Sequence, residues 1–477
     1  MASRDAIAQE LARFLSEVPS GAREKLYQRI ESDRLNGEVR PEYALILSAL
    51  NALPEGTARL QVAPGTTPKE LFFEPVKPFL SKWPDGEKKQ RGRIPETALA
   101  PIWEWLCRDV ASNEIGRHEE QAKRALRNGD VDRAYNEMET ARQKVGSVVQ
   151  ALLKQISSDQ DEWRRTSNHI GGVTMLDHVS EIREIFLARP VLDKMAKRLP
   201  AQLNGNDADQ IANAVEIVSA ATGSGVALDL SLVFLTARFS DPARALRLGV
   251  ETLGGDSAET LAQGPYAILG DLVLFELEHI VHDVSRNINR VAIDETVRGN
   301  IEAFAVMSRR FAADIDLSKP NPWSRRLTAA RARISDLLGP QLDLLSRCLR
   351  RALAPASELP LKALPDASEC EDALGRLDLL VMLSGHAEEL ALKDRITQVR
   401  GRTESYVEAA NAAITNAIRQ SAGEAQAYAN AYLDFAVKVN ERLHGEEFAR
   451  ILRRLGQAAR PKSNGETDAD TRPRKSA

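Results

Sequence analysis

The chain has 477 residues, a formal net charge of -4, and a composition that is 43% hydrophobic and 28% charged. One hydrophobic core does not organise a chain of this length, so we expect about two to four globular domains rather than a disordered or membrane-embedded protein. A charge this close to neutral gives no overall attraction to nucleic acid or to anionic membranes, so any such binding would have to be local.

The cysteine usage and the first residues favour a cytoplasmic protein. Cys107, Cys348 and Cys370 are far apart and form no CxxC pair, which is typical of a reducing compartment. The stretch MASRDAIAQELARFL mixes charges where a signal peptide needs an apolar core, and no uninterrupted apolar run of about 18 residues occurs. We therefore expect no transmembrane segment. The preference for Arg and Ala over Lys is typical of a high-GC bacterial genome.

Apolar residues recur at steps of three and four along most of the chain, as at Ile7, Leu11, Phe14 and Leu15. This spacing predicts amphipathic helices, whereas the alternation that is typical of strands is nearly absent. We therefore predict an all-α, multi-domain protein, built as a helical bundle or as an irregular α-solenoid with a long C-terminal helix.

Changes of composition along the chain predict three helical domains and a tail. The first, residues 1–160, carries a Pro- and Gly-rich insert and a helical hairpin, and the second, residues 161–320, consists of shorter helices between Gly, Asn and Asp turns. The stretch SKPNPW, whose prolines disfavour helix, opens the third domain at residues 321–459. Residues 460–477 are poor in apolar side chains, which predicts a disordered tail.

Five aromatic residues lie in and just after the N-terminal insert, and we expect them to be buried in the core. The alternative is a peptide-binding groove that their rings would line. These residues are Phe72, Phe73, Trp83, Trp103 and Trp105.

A helical hairpin is predicted around the turn at residues 128–130, where Gly ends one helix and Asp begins the next. The stretch RALRNGDVDRAYNEMETA resembles the centre of a tetratricopeptide-type repeat over about 30 residues, although His118 stands where that family prefers an aromatic residue. The matching turn and packing positions are Gly129, Asp130, Ala134, Met138 and Ala141. The resemblance implies stacked repeats, but a stack needs about three neighbours, so we expect a generic antiparallel hairpin.

Residues 394–443 predict one long helix, because apolar and small residues recur at steps of three and four over the whole stretch. This spacing predicts a coiled-coil-like seam. Its candidate interaction residues are Val407, Ile414, Ile418, Ala425, Tyr432 and Ala436. The partner of the seam is either another helix of the same chain or a second copy of the protein, in which case the protein is a homodimer.

The stretch FELEHIVHD, at residues 275–283, places carboxylates and imidazoles at helical spacing. Glu276, His279 and Asp283 share one helix face, and Glu-x-x-His, which Glu441 and His444 repeat, is the spacing of ferritin-like di-iron proteins. We expect a protein without a cofactor. The alternative that this pattern predicts is a binding site for iron, manganese or zinc. An imidazole that pairs with one carboxylate in the core is the commoner structure with this pattern.

Two basic clusters are candidates for binding nucleic acid or acidic lipid, because Arg binds phosphate bidentately. The clusters contain Lys88, Lys89, Arg91 and Arg93, and then Arg325 and Arg326. Both are short, so we favour intramolecular salt bridges or a solvated face, and we do not expect a nucleic-acid partner.

No GxxxxGK[ST], GxSxG or HExxH motif occurs in the chain. We therefore expect a protein that works through contacts with other proteins, as a scaffold, adaptor or regulator, rather than an enzyme. The alternatives are a metal-binding helical-bundle protein or enzyme centred on Glu276 and His279, and a protein that binds nucleic acid or anionic membrane through its arginine clusters.

Overall fold

The structure is a computed structural model, and the chain it shows is all-α, as the apolar periodicity predicts. The residues that it describes are 30, 43, 46, 65–83, 90–205, 207–221, 226–288, 294–353 and 361–460. The predicted tail therefore lies outside the described residues from position 461 onward. None of the helices described combines the length and the apolar character that a membrane crossing requires.

The chain divides into two compact units. The first comprises Met1–Glu74 and Trp103–Leu152, and the second comprises Pro75–Ile102 and Leu153–Ala477. The domain boundaries that the composition suggests, near residues 160 and 320, stay a prediction.

Four of the helices described lie wholly or partly in the first unit. Helix α1 (Pro68–Phe72) begins with a capping box, in which the Thr67 and Glu70 side chains each accept a hydrogen bond from the other residue's backbone N–H. The chain returns to this unit within α2 (Leu99–Trp105) and continues through a π-helical turn to α3 (Ser112–Arg127) and α4 (Val131–Ile156).

Helices α3 and α4 form the predicted hairpin, with Gly129 at φ +73° in the turn between them. Ala134, Met138 and Ala141 are fully buried, in agreement with their role as packing residues. His118 is also buried, and its Nδ1 lies 2.8 Å from Glu137 Oε2. A polar link between the two helices thus stands where the tetratricopeptide-type pattern has an aromatic contact.

The side chain of Arg142 lies in the core of the first unit and is only 2% exposed. Its guanidinium donates to the carbonyl oxygens of Leu71, at 2.6 Å, and Phe72, at 3.3 Å, and it pairs with Glu139 at 2.6 Å. These carbonyls belong to the last residues of α1, where a helix has no intrahelical donors left. The Arg142 side chain on α4 therefore caps the C-terminal end of α1, and this contact joins the two helices.

The aromatic residues of the insert are core residues, as predicted. Phe72, Phe73 and Trp105 are buried in the first unit, and the Phe72 ring packs on Trp103 with 5.1 Å between centroids. Trp83 is buried within the second unit.

The second unit contains a short parallel pair, β1 (Leu80–Ser81) and β2 (Ile94–Pro95), and otherwise helices. Its helices up to residue 353 are α5 (Gln160–Ile170), α6 (Met175–Arg198), α7 (Ala208–Ala221), α8 (Val226–Thr236), α9 (Leu246–Leu253), α10 (Ala258–Gln263), α11 (Ala267–Asn287), α12 (Glu295–Asp314) and α13 (Pro322–Leu353). Helix α11 packs against α8, α12 and α13, so it lies at the centre of this part of the unit.

The C-terminal part of the second unit consists of α14 (Ala367–Ser384), α15 (Lys393–Gln420), α16 (Glu424–His444) and α17 (Glu446–Ala458). The prediction of one helix over residues 394–443 is wrong, because the chain breaks at residues 421–423 and α16 packs on α15. Gly423 has φ +62°, a conformation that favours glycine, and Ser421 is extended. The seam continues on both sides of this break, so each half buries the other.

The candidate interaction residues accordingly lie in contact regions within the chain. Val407, Ile414, Ile418, Tyr432 and Ala436 are buried, and Ala425 is half-buried. Asn411 and Asn440 exchange two amide hydrogen bonds of 3.1 Å across this pair of helices. Only one register satisfies both amides, so the pair fixes how α15 and α16 align.

We expect Arg142→Ala to destabilise the first unit by about 3 kcal/mol, because it leaves two helix-terminal carbonyls and the Glu139 carboxylate without their buried donor. Hydrogen exchange measured by mass spectrometry should then accelerate in α1 and α4. Arg133→Ala, which removes an exposed arginine from the same helix, is the control. Equal exchange in the two variants would contradict the role assigned to Arg142.

Candidate functional site

The turn at residues 90–93 connects three helices of the second unit through its charges. Arg91 pairs with Glu184 on α6 and with Asp229 on α8, each at 3.0 Å. Arg93 is nearly buried, and its Nε lies 3.0 Å from Glu276 Oε1 on α11. Both arginines of the first basic cluster are therefore engaged inside the protein. Lys88 and Lys89 lie outside the described residues.

The backbone of this turn is also fixed by contacts with the helices. Gly92 has φ +77°, and its N–H donates to the buried carboxylate of Glu181. Burial raises the pKa of Glu181, although the hydrogen bond from Gly92 and the charge of Arg91 oppose that rise. A Cβ on Gly92 would lie 2.3 Å from Cγ2 of Val233, so the turn has no room for a side chain at this position.

The predicted metal stripe on α11 forms a charge network with Arg93. His279 Nδ1 lies 3.8 Å from Glu276 Oε2, and His279 Nε2 lies 3.6 Å from Asp283 Oδ2. The indole of Trp83 stacks on the His279 imidazole, with 5.3 Å between ring centroids and 22° between planes. One face of that imidazole is therefore covered by an aromatic ring.

The charges of this network shift its pKa values in opposite directions. Burial disfavours the ionised form of Glu276, but His279 and Arg93 outweigh burial and lower the pKa of that carboxyl. Glu276 raises the pKa of His279, with help from Asp283, while burial and Lys82 oppose the rise. The imidazole thus lies between two carboxylates, and Arg93 lies on the other oxygen of Glu276.

The second Glu-x-x-His pair lies at the end of α16. Glu441 and His444 are both exposed, and the His444 ring lies 5.1 Å from that of Phe448. Over the described ranges, no group of three His, Cys, Asp or Glu side chains is arranged to hold a metal ion. Binding of iron, manganese or zinc around His279 stays a prediction.

One arginine of the second basic cluster is paired with neighbouring carboxylates. Arg326 pairs with Glu278 at 3.0 Å and with Asp271 at 2.9 Å, both on α11. Arg325 is exposed, and its Nε lies 3.5 Å from the carbonyl oxygen of Asn321, in the turn before α13. Arg326 therefore attaches the first turns of α13 to α11, whereas Arg325 does not.

A groove of about 1270 Å³ lies between the last turns of α13 and the first half of α15. Five exposed arginines line this arginine groove: Arg347, Arg350, Arg351, Arg395 and Arg402. They exceed the two aspartates of its wall, Asp343 and Asp394, by three charges. The groove was missed from the sequence, where Arg347, Arg350 and Arg351 share one face of α13 but nothing indicates that α15 adds two more.

The arginines of the groove differ in how they are engaged. Arg395 pairs with Asp343, and the Arg350 guanidinium lies 5.9 Å from the centre of the Tyr406 ring. Arg347, Arg351 and Arg402 make no ion pair or hydrogen bond with any residue described in the structure. Three guanidinium groups are therefore available to an anionic ligand.

The floor of the groove contains a polar atom without a partner. Thr403 is 1% exposed and lines the groove, and its hydroxyl has no hydrogen-bond partner within the described part of the chain. A buried hydroxyl without a hydrogen-bond partner destabilises the fold.

Comparison of the chain with models of protein families, with curated proteins and with solved structures found no match.

We expect Gly92→Ala to lower the free energy of unfolding by about 2–4 kcal/mol, because it combines an unfavourable φ with a clash against Val233. The matched control is Gly254→Ala, where φ is +66° and no atom lies within 4 Å of the added Cβ. Urea unfolding should separate the two variants, since only the first carries the packing cost. Equal losses would show that the clash with Val233 relaxes freely.

We expect His279 to stabilise the protein in acid more than in base. Its pKa is raised on folding, so the contribution of the imidazolium is complete below the unfolded pKa of about 6.5 and is lost as pH rises through the folded value. His279→Gln should therefore cost more unfolding free energy at about pH 6 than at about pH 8.5. His444→Gln, which removes an exposed imidazole, is the control, and a cost that does not change with pH would refute the network.

Proposed function

We propose that the protein is a cytoplasmic helical interaction protein that binds an acidic segment of a partner protein in the arginine groove. The observation that carries this proposal is the set of three exposed arginines, Arg347, Arg351 and Arg402, that converge on one groove and form no ion pair or hydrogen bond with the residues described. Elsewhere in the second unit, Arg91 and Arg326, which the sequence had suggested as ligand contacts, are paired with carboxylates.

The dimensions of the groove suit a short stretch of polypeptide. The lining residues of α15 span positions 394–406, which correspond to about 18 Å at 1.5 Å per residue. An extended chain covers that length in about five or six residues. An acidic segment of this size places a carboxylate or phosphoryl group beside each free arginine, and Arg binds either group bidentately.

The same geometry argues against nucleic acid and against a membrane surface. Single-stranded nucleic acid binds by stacking its bases on aromatic rings, and Arg350 already lies near the ring of Tyr406 in the groove. A lipid surface is met by convex or flat faces with exposed apolar side chains, whereas Leu349 and Val399 in this groove are buried. A narrow polypeptide with acidic side chains reaches every arginine of the groove.

Binding of this kind is electrostatic, and its affinity depends on several weak pairs acting together. An exposed ion pair contributes about 0.2–1 kcal/mol, so no single arginine suffices. Little apolar surface is available in the groove, because Leu349 and Val399 are nearly inaccessible. We therefore expect affinity to fall steeply as salt is raised, since exposed charges are screened over about 10 Å at 0.1 M.

The proposal is tested by fluorescence anisotropy with a labelled, glutamate-rich peptide of about ten residues. Replacing Arg351 or Arg402 by Glu should weaken binding by about tenfold each, because each reversal removes an attraction and adds a repulsion. Arg419→Glu makes the same charge change at an exposed position of α15 outside the groove and should leave binding nearly unchanged.

Two outcomes would overturn the proposal. Equal loss of binding in Arg402→Glu and Arg419→Glu would show that net charge rather than the groove attracts the peptide. Tighter binding of a single-stranded oligonucleotide than of the acidic peptide, with the same dependence on Arg351 and Arg402, would assign the groove to nucleic acid.

A further inference from the structure

Helix α17 carries a row of exposed apolar side chains on its outer side. Phe448, Ile451 and Leu455 are 56%, 48% and 53% exposed, and their spacing of three and four places them on one face. The inner face of the helix consists of other residues, Ala449, Leu452 and Gly456, which are buried. Packing in the core of the unit therefore does not account for the apolar residues of the outer row. We call this row the α17 ridge.

The inner packing shows that α17 cannot turn its ridge inward. A Cβ on Gly456 would lie 2.2 Å from Cδ2 of Leu433, so α17 lies close against α16 at this point. The helix contacts α16 and α15, and the three ridge side chains stay about half exposed, with the Phe448 ring 5.1 Å from the His444 ring of α16. Large apolar side chains grouped on an exposed helix face indicate an interaction site.

We propose that the α17 ridge is a homodimer interface in which α17 of one copy lies antiparallel to α17 of a second copy. This inference is independent of the arginine groove. A spacing of three and four residues is that of a coiled-coil seam, which two identical helices fill with each other's side chains. In the antiparallel pairing, Phe448 of each copy packs beside Ile451 of the second copy.

The order of charges along α17 selects both the occupant and the direction. Glu446 and Glu447 stand in the first turn, whereas Arg453 and Arg454 stand in the second half of the helix, before its last turn. Beside the ridge, an antiparallel copy brings Glu447 next to Arg454 of the second copy, twice by symmetry. A parallel copy would bring like charges together at both ends, which is destabilising.

Glu447 and Arg454 are available for such pairs. Both are exposed, and neither makes an ion pair with another residue of the described chain, whereas the neighbouring Glu446 is already paired with Arg450 at 3.0 Å. Three half-exposed side chains bury much less than the roughly 800 Å² per partner of a stable complex. The dimer is therefore weak, with dissociation in the micromolar range or above.

The test is sedimentation equilibrium of the full chain between about 1 and 200 μM. We expect the wild type to shift from monomer towards dimer over this range, and Ile451→Glu to abolish the shift. Val381→Glu places the same charge at an apolar residue of matched exposure, 49%, on α14, and should leave dimerisation unchanged. Circular dichroism of each variant shows whether its fold is retained.

A charge exchange tests the antiparallel direction. Glu447→Arg and Arg454→Glu should each weaken the dimer, because each places like charges side by side, and the double variant should restore it. A wild type that stays monomeric at the highest concentration, or a dimer that Ile451→Glu leaves unchanged, would overturn the proposal. Binding of a monomeric wild type to vesicles of anionic phospholipid, lost in Ile451→Glu, would overturn it in favour of a membrane-lying helix.

Discussion

The second unit is organised around the turn at residues 90–93, because this segment supplies charges to three helices that differ widely in sequence position. Arg91 reaches α6 and α8, Arg93 reaches α11, and the N–H of Gly92 is donated to a buried carboxylate of α6. The carboxylates need these donors, since an ionised side chain without a partner is costly in a core. The donors of the turn and the carboxylates of the helices therefore require each other, and the turn fixes the helices relative to one another.

The same principle separates structural arginines from those available to a ligand. An arginine that meets a carboxylate on a neighbouring helix holds two elements together, as Arg326 does between α13 and α11. At the other end of α13, the neighbouring helix α15 adds two arginines and only one aspartate to the groove. Arg347, Arg351 and Arg402 therefore accumulate positive charge that the described part of the fold does not neutralise. One long helix thus connects a structural ion-pair cluster to a candidate binding groove.

The C-terminal helices show how an interaction pattern can be satisfied within one chain. The seam on α15 and α16 has the spacing of a coiled coil, and the break at residues 421–423 lets its two halves bury each other. The Asn411 and Asn440 amides then specify the register. Exposed apolar side chains remain in a row on α17, where Phe448, Ile451 and Leu455 form the α17 ridge.

The sequence by itself determined the all-α fold, because helical periodicity and capping are local properties that tertiary packing reinforces here. It also determined the hairpin at Gly129 and the burial of aromatic residues such as Phe72, since a positive φ and a large apolar surface each have few alternatives. Only the tertiary structure decided which charges pair. Glu276 and His279 have the same spacing in a metal site and in an ion-pair network, and the ion pair of Glu276 with Arg93 joins residues about 180 positions apart in the chain. The arginine groove likewise forms only where α13 and α15 meet. No local sequence pattern encodes the contact between two helices that are far apart in the chain.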